Sequence, residues 1–301
     1  MDRDLSRDEF QRYHDLIYKI AGIHYPAEKL ELLSNRIKKR LRASRTASYD
    51  AYLHRIQQPG EATEQQAFLD SITTNETYFF RCQRHWDYFR KWVEARATDP
   101  VHKREPIRIW SAAASTGAEA YTILIVLRQV LGAGFGGVPV ELLGTDLSNQ
   151  VLEEARRGVF RAYALAQTPP EVVKQFFTKT ATDDFQIDRA LQRHAQFQRH
   201  NLMEPLPGNR RFDFVFLRNV MIYFDTPSRE KVLRHVFAVT QPGGHLVVGE
   251  SESLLSTKHD FAYQKPSIFV KPIGATSAGA PPAPPGAAPG APARPSARTR
   301  N

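Results

Sequence analysis

The fold is decided by two stretches that lie far apart in the chain, IRIWSAAASTGAEAY at 107–121 and FDFVFLRNVMIYFD at 212–225. Each begins as an apolar strand and ends in a turn that carries polar residues, and the first then continues into an apolar helix. In open parallel sheets, ligands bind at the carboxyl ends of the strands. We therefore expect a small-molecule site in the turns that follow the two strands, at 111–119 and 218–225.

The region 107–273 continues this alternation of strands and helices. Strands are predicted at 107–111, 139–145, 212–217 and 245–249, and helices at 118–131, 149–157 and 227–239. The alternation predicts an α/β fold, with an open and mainly parallel sheet covered by helices on both faces. The last segment, 262–270, follows without a helix and is expected to pair antiparallel. A small inserted subdomain is expected at about 158–200. Its predicted elements are a helix at about 171–177 and short strands near 184–188 and 195–200.

The chain before and after this region has a different character. Residues 5–72 carry helical patterns only, which predicts a small all-α domain at 1–73 whose first helix starts at a capping box of Ser6 and Glu9. A helical linker is expected at 74–106. The tail 274–301 is dominated by Ala, Gly, Pro and Ser, which cannot bury enough apolar surface to fold, so we expect it to be disordered.

The charge balance favours an anionic partner. The chain has 41 Lys and Arg against 32 Asp and Glu, a net charge of +9, which suits nucleic acid, a membrane surface or an acidic protein. The second helix is expected to have a positive outer face, since the stretch 35–45 contains no acid. Its cations are Arg36, Lys38, Lys39, Arg40, Arg42 and Arg45. Such a face is either solvated or docks an anionic surface.

Targeting signals are not evident, and we expect a cytoplasmic protein. The single cysteine, Cys82, excludes an internal disulfide, and the start of the chain does not resemble a signal peptide. The longest apolar run, Ala120–Leu127, is far shorter than the roughly 20 residues of a spanning helix, so no membrane insertion is expected.

The turn after the first strand points to a nucleoside cofactor without a pyrophosphate. Residues 114–117 lack the glycines of a dinucleotide fingerprint. The second strand ends in Asp146, whose carboxylate can accept both hydroxyls of a ribose, and S-adenosylmethionine is the foremost candidate. Two structural alternatives remain open. Asp146 can instead cap the next helix, a role that Ser148 fills equally well, and Glu119 can serve as a favourable partner of its helix dipole.

Two other patterns are rejected. His194 and His200 lie on one face of a predicted strand, but no third ligand has suitable spacing, so no metal site is assigned. The stretch 249–253 lacks the closing glycine of a nucleophile elbow, which argues against a hydrolase.

Six strings in order along the chain carry a resemblance to a known family. They are SITTNETYFFR at 71–81, RIWSAAASTGAEAYT at 108–122, LGTDLSNQVLEEAR at 143–156, NL at 201–202, FDFVFLRNVMIYFD at 212–225 and QPGGHLVVGESESL at 241–254. Over residues 5–272 the chain resembles the CheR-type chemoreceptor glutamate O-methyltransferases. The resemblance implies a class I S-adenosylmethionine-dependent methyltransferase, Rossmann-like, preceded by a small all-α domain that docks the receptor.

The resemblance also implies roles for individual residues. The cofactor-binding set is Asn75, Thr77, Arg81, Glu119, Asp146, Asn201, Leu202, Arg218 and Asn219. Within it, Arg81 suits the methionine carboxylate, Asp146 the ribose, and Asn201 and Leu202 the adenine. Tyr223 falls at the family's active-site tyrosine and is assigned with Arg81 to catalysis. The chain departs from the family at Ala118, Ala120 and Glu250, where Glu, Pro and His are common, which bears on affinity more than on activity.

The implied reaction forms methyl esters of glutamate side chains on chemoreceptors, with S-adenosylhomocysteine as the second product and without a metal. The expected partners are the glutamate-rich cytoplasmic helices of chemoreceptors, with docking through Arg36, Lys39 and Arg40, at membrane-associated receptor arrays. The stretch 178–188 has no glycine, so no tether to a receptor C-terminal peptide is expected.

Two rival functions stay open at this point. A nucleic-acid methyltransferase agrees with the net charge, but the chain has no Asn/Asp-Pro-Pro-aromatic string, and its single cysteine falls in the predicted linker. A binding module that kept the fold without catalysis is opposed, though not excluded, by the intact set of site residues.

Overall fold

A computed structural model describes residues 3–103 and 105–274 of the chain. The helices are α1 (Arg7–Ala21), α2 (Leu30–Ser44), α3 (Tyr49–Ile56), α4 (Ala62–Ile72), α5 (Gln83–Thr98), α6 (Ala118–Leu131), α7 (Asn149–Arg157), α8 (Pro170–Phe176), α9 (Arg189–Gln192) and α10 (Thr226–Val239). The strands are β1 (Ile107–Ala112), β2 (Val140–Asp146), β3 (Val159–Phe160), β4 (Phe177–Lys179), β5 (Phe185–Ile187), β6 (Ala195–Arg199), β7 (Phe212–Leu217), β8 (Thr240–Val248), β9 (Ala262–Lys265) and β10 (Ile268–Val270). Apart from Gly274, the tail expected to be disordered lies outside the described residues.

Helices α1 to α4 form the all-α part and enclose their own apolar core. The predicted capping box is present, with the Ser6 hydroxyl accepting from the Glu9 amide and the Glu9 carboxylate accepting from the Ser6 amide. Helix α1 ends at Gly22 in the left-handed conformation. The core is built from one apolar face of each helix, including Tyr13, Ile17 and Leu33.

Seven of the strands β1 to β10 form one sheet with the order β6-β2-β1-β7-β8-β10-β9. Neighbouring strands from β6 to β8 are parallel, and β10 is antiparallel to both β8 and β9. The predicted α/β architecture is therefore confirmed. Segment 262–270 pairs antiparallel as predicted, and it forms a hairpin of two strands that turns at Ser267, whose φ is 63°. Only its second strand pairs with β8.

The expected boundary of the inserted subdomain was wrong at its C-terminal end. The insertion contains a separate three-stranded sheet of order β3-β5-β4, and two of these strands, β3 and β4, were not predicted. Strand β6 belongs to the main sheet, where it pairs in parallel with β2. The reason is packing: the Phe197 ring lies against Gly144 of β2, where an added Cβ would be 2.6 Å from it.

Helix α6 lies in the interior of this α/β part. By length and composition the stretch Ala118–Gly136 could pass for a membrane span. Here every side chain from Ala120 to Leu127 is buried, and the helix packs against α5 and the sheet. That is the behaviour of a core helix.

The two parts of the chain meet along the carboxyl ends of the parallel strands. Ile23 pairs with Phe224 in an antiparallel bridge, and the His24 amide donates to the Tyr223 carbonyl at 2.8 Å. The Gln66 amide donates to the Leu147 carbonyl at 2.9 Å. The all-α part thus closes the edge of the sheet where α/β proteins bind ligands.

Candidate active site

A cavity of about 1170 Å³, counting its open mouth, lies between the all-α part and the ends of β1, β2 and β7. It is lined by every residue assigned to the cofactor or to catalysis from the sequence. These are Asn75, Thr77, Arg81, Glu119, Asp146, Asn201, Leu202, Arg218, Asn219 and Tyr223. The strand ends account for this clustering, because β1, β2 and β7 are adjacent in the sheet.

Asp146 ends β2 and is 7% exposed. One carboxylate oxygen accepts the Ser115 amide at 2.9 Å and the other accepts the Ser148 amide at 3.0 Å. Burial raises the pKa of Asp146, and these amide donors oppose that rise. The cap of α7 itself is Ser148, whose hydroxyl accepts from the Val151 amide. Asp146 therefore shapes both neighbouring turns and still faces the cavity.

Glu119 and Arg218 form an ion pair at the cavity floor, with Nη1 of Arg218 2.9 Å from a Glu119 oxygen. Their side chains are 12% and 3% exposed. The second Glu119 oxygen accepts the Ser111 hydroxyl at 2.7 Å. Burial raises the pKa of Glu119, and the Arg218 charge works against it. Arg218 also donates to the Arg81 carbonyl and lies over the Trp86 ring, 5.3 Å from its centroid.

The segment between α4 and α5 forms one wall of the cavity. The Asn75 carbonyl accepts the Ser115 hydroxyl at 2.7 Å, which ties this segment to the turn after β1. The Arg81 guanidinium lies 5.4 Å from the Tyr78 ring centroid and makes a long, 3.4 Å bond to the Glu76 carbonyl. No carboxylate among the described residues pairs with Arg81, which leaves its charge available to an anion in the cavity.

Asn201, which also lines the cavity, joins the two parts of the chain. Its side-chain amide donates to the Ile20 carbonyl at 2.7 Å, and its oxygen accepts the Met203 amide at 3.1 Å. Gly22 follows on the same seam, where an added Cβ would be 2.4 Å from the Met203 sulfur. A glycine at the end of α1 thus leaves room for the Met203 side chain and also adopts the φ of 68° without strain.

The turn after β7 carries Asn219 and Tyr223. Asn219 has a φ of 58°, and Met221–Tyr223 form a short 3₁₀ helix that directs the half-buried Tyr223 towards the cavity. Left-handed backbone at non-glycine residues costs about 1–3 kcal/mol and tends to occur at functional sites. Two more such residues, Ala113 and Ser115, line the cavity, and two others, Phe80 and Cys82, lie on either side of Arg81 in the chain.

Two contributors from the all-α part were missed in the sequence. The Tyr25 hydroxyl donates to the Ile72 carbonyl, and Nη1 of Arg36 donates to the Tyr25 hydroxyl at 2.8 Å. Nη2 of Arg36 donates to the Thr74 hydroxyl at 2.8 Å. All four residues line the cavity. No local pattern marks Tyr25, because its role depends on how the two parts of the chain pack.

This geometry corrects the expected positive face of α2. Arg36 points into the cavity wall, and Arg40 forms a two-pronged ion pair with Glu64, whose carboxylate also accepts the Tyr52 hydroxyl. Both arginines are partly buried because they tie α2 to α4 and the segment after it. The exposed cations of this helix and its C-cap are Lys39, Arg42 and Arg45.

The residues present fit S-adenosylmethionine. The cavity offers an acid at the end of β2, an arginine without a carboxylate partner, and a polar turn after β7. Within 3–103 and 105–274, the buried Nε of Arg218 has no hydrogen-bond partner, which is consistent with a ligand contact at the cavity floor. Within the same residues no cluster of three or more His, Cys, Asp or Glu could hold a metal. His194 and His200 have different surroundings, beside Phe135 and Trp110 respectively.

Comparison with known proteins identifies the family of this chain. Residues 75–270 match the model described as "CheR methyltransferase, SAM binding domain", and residues 8–73 match "CheR methyltransferase, all-alpha domain". The chain belongs to the CheR methyltransferase family. The CheR domains meet between residues 73 and 75, immediately before the segment that carries Asn75 and Arg81.

Curated CheR relatives are similar over most of their length. The chain is 34% identical to chemotaxis protein methyltransferase 2 of Pseudomonas aeruginosa, covering 84% of this chain and 89% of the relative. It is 35% identical to the chemotaxis protein methyltransferase of Klebsiella aerogenes, covering 88% and 90%. The Escherichia coli protein of the same name is 32% identical, covering 88% and 91%.

Proposed function

We propose that this protein is a protein-glutamate O-methyltransferase acting on chemoreceptors in chemosensory adaptation. It transfers a methyl group from S-adenosylmethionine to glutamate side chains, giving methyl esters and S-adenosylhomocysteine. The observation that carries the proposal is that Arg81, Asp146, Asn219 and Tyr223 line one cavity. Membership of the CheR family and the relatives named chemotaxis protein methyltransferases support the same function.

The cofactor end of the cavity has an acceptor for the ribose and a donor for the methionine carboxylate of the ligand. When bound, S-adenosylmethionine supplies a methyl group activated by its positively charged sulfur. The Asp146 carboxylate has lone pairs beyond those used by its two amide donors, and these accept ribose hydroxyls. Arg81 binds the methionine carboxylate as a charge-assisted partner. Asn201 and Leu202 lie beside the adenine.

The acceptor end requires positioning more than proton transfer. A glutamate side chain with a pKa near 4.3 is already ionised at neutral pH, so it attacks without a general base. The chain contributes orientation and exclusion of water, both of which raise the rate of a bimolecular transfer. We assign the orientation of the carboxylate to Tyr223, which lies on the same turn as Asn219.

Docking of the receptor is assigned to the exposed part of the α2 surface. Receptor methylation helices are rich in glutamate. Of Arg36, Lys39 and Arg40, which the sequence suggested for docking, Lys39 is the exposed one. Arg42 and Arg45 extend this surface. The β4–β5 loop, residues 180–184, contains no glycine, in keeping with a protein that does not tether a receptor C-terminal peptide. We place the protein in the cytoplasm, recruited to membrane-associated receptor arrays.

The test is transfer of tritiated methyl from S-adenosylmethionine to membranes that contain chemoreceptors, followed by mild alkali. Release of volatile methanol by base is expected, because carboxyl methyl esters hydrolyse under these conditions. Base-stable label, or label on added nucleic acid, contradicts the proposal. Binding of cofactor without transfer to any receptor favours a binding module instead.

The docking surface has its own test. Lys39→Glu is expected to lower the rate of receptor methylation severalfold and to leave S-adenosylhomocysteine binding unchanged, since it reverses one exposed charge away from the cavity. Lys91→Glu, at an exposed lysine of α5, is the matched control. Equal methylation by the two variants contradicts the role of Lys39.

A further inference from the structure

The loop that follows β8 places a buried carboxylate beneath the turn that carries Asn219 and Tyr223. Glu252 is 6% exposed. One of its oxygens accepts the Asn219 amide at 2.8 Å and the Gly249 amide at 2.6 Å, and the other accepts the Ile222 amide at 3.2 Å. A single side chain thus binds both ends of the turn after β7.

These amides depend on Glu252 because the turn cannot satisfy them itself. Within the turn, the Tyr223 amide bonds the Val220 carbonyl and the Phe224 amide bonds the Met221 carbonyl. Asn219, held at a φ of 58°, directs its amide away from such partners. A buried amide without an acceptor costs about as much as a lost hydrogen bond, so removal of the carboxylate releases the conformation of Asn219.

Gly249 provides the room for this contact. A Cβ at this position would be 2.7 Å from the Glu252 carboxylate and 2.9 Å from the Asn219 side-chain nitrogen. Either the carboxylate or the turn would have to move. Gly249 and Glu252, both in the loop after β8, therefore pack closely against Asn219. Glu252 itself does not line the cavity.

We propose that Glu252 is a positioning residue for methyl transfer, which fixes the acceptor end of the cavity by holding the Asn219–Tyr223 turn. This inference rests on the proposed function. Most of the cofactor-binding set, including Arg81, Asp146 and Asn201, lies on other segments, and Asn219 is its member on this turn, so loosening the turn lowers turnover more than cofactor affinity. A misplacement of about 1 Å can cost roughly a hundredfold in rate.

The test separates turnover from cofactor binding. In Glu252→Gln the amide oxygen can still accept, but the NH₂ group faces a backbone amide, so the turn loses part of its support. We expect kcat for receptor methylation to fall by about 10- to 100-fold, while the dissociation constant of S-adenosylhomocysteine by calorimetry changes less than about threefold. Gly249→Ala should act in the same direction by displacing the carboxylate.

Glu153→Gln is the matched control. Glu153 is an exposed glutamate of α7 that does not line the cavity, so its variant should keep the wild-type kcat. An unchanged kcat in Glu252→Gln overturns the inference, and so does a loss of S-adenosylhomocysteine affinity as large as the loss of kcat. If the wild type itself transfers no methyl to receptors, the proposed function fails instead.

Discussion

Replacement of Arg218 by Met should destabilise the protein in a pH-dependent way. The side chain is 3% exposed, and its removal leaves the Glu119 carboxylate buried with the Ser111 hydroxyl as its remaining hydrogen-bond partner among the described residues. The Arg81 carbonyl still accepts a hydrogen bond from the Trp86 indole at 3.0 Å. The loss of folding free energy therefore arises mainly from the unpaired Glu119 carboxylate. Breaking a buried pair from one side costs about 3–5 kcal/mol, which is the expected loss at pH 8.

The sign of the pH dependence follows from burial. Burial already raises the pKa of Glu119 in the folded state, and loss of the Arg218 charge raises it further. A group with a raised folded pKa loses stability as pH rises from its unfolded value through its folded value. The cost of Arg218→Met should therefore shrink from pH 8 to pH 5, by about 1.4 kcal/mol for each unit of further pKa rise.

Urea unfolding followed by tryptophan fluorescence measures this cost. All three tryptophans, Trp86, Trp92 and Trp110, lie outside the all-α part and so report on the α/β part. The double variant with Glu119→Gln should recover part of the loss and show little pH dependence. Arg108→Met breaks an exposed pair and should cost less than about 1 kcal/mol. A cost below about 1 kcal/mol for Arg218→Met, or one that does not change with pH, would refute the reasoning.

Three further predictions concern single residues of the site and the seam. Tyr223→Phe should lower kcat roughly 10- to 150-fold, the worth of one hydrogen bond to a charged carboxylate, with S-adenosylhomocysteine affinity unchanged; equal rates contradict the orienting role. Gly22→Ala should cost about 2–4 kcal/mol in urea unfolding, since it adds overlap with Met203 to backbone strain. Gly208→Ala, at a φ of 88° with open space around it, should cost only the strain of about 1–2 kcal/mol, and similar losses in both would disprove the overlap. Asp146→Asn should weaken S-adenosylhomocysteine binding by about tenfold or more in calorimetry, because its amide nitrogen must face a backbone donor, and undiminished affinity argues against the ribose contact.

Much of the site could be read from the sequence because its residues follow strand ends. Asp146 and Arg218 directly end or follow apolar strands, and parallel strands bring their carboxyl ends to one edge. Glu252 could not be assigned in this way. Its stretch was considered as a nucleophile elbow and as one of the strings of the family resemblance, and neither gave Glu252 a role. Its contact with Asn219 spans 33 positions of sequence.

The errors in the fold and on the surface have the same origin. The short strand β6 was assigned to the insertion because local pattern does not show which sheet a strand joins, and contact of Phe197 with Gly144 decides it. Arg36 and Arg40 were taken as exposed because their helix lacks nearby acids. Their partners, Thr74 and Glu64, are 38 and 24 positions away.

The sequence by itself determined the order of the main helices and strands, the α/β class and the family, because periodicity, caps and strand-end motifs are local signals. Only the tertiary structure decided which charges are exposed and that β6 is an edge strand of the main sheet. It also decided that Tyr25 lines the cavity and that Glu252 binds the turn after β7. These features depend on contacts between distant segments. Their free energies arise from burial and hydrogen bonding that exist only once the segments have packed together.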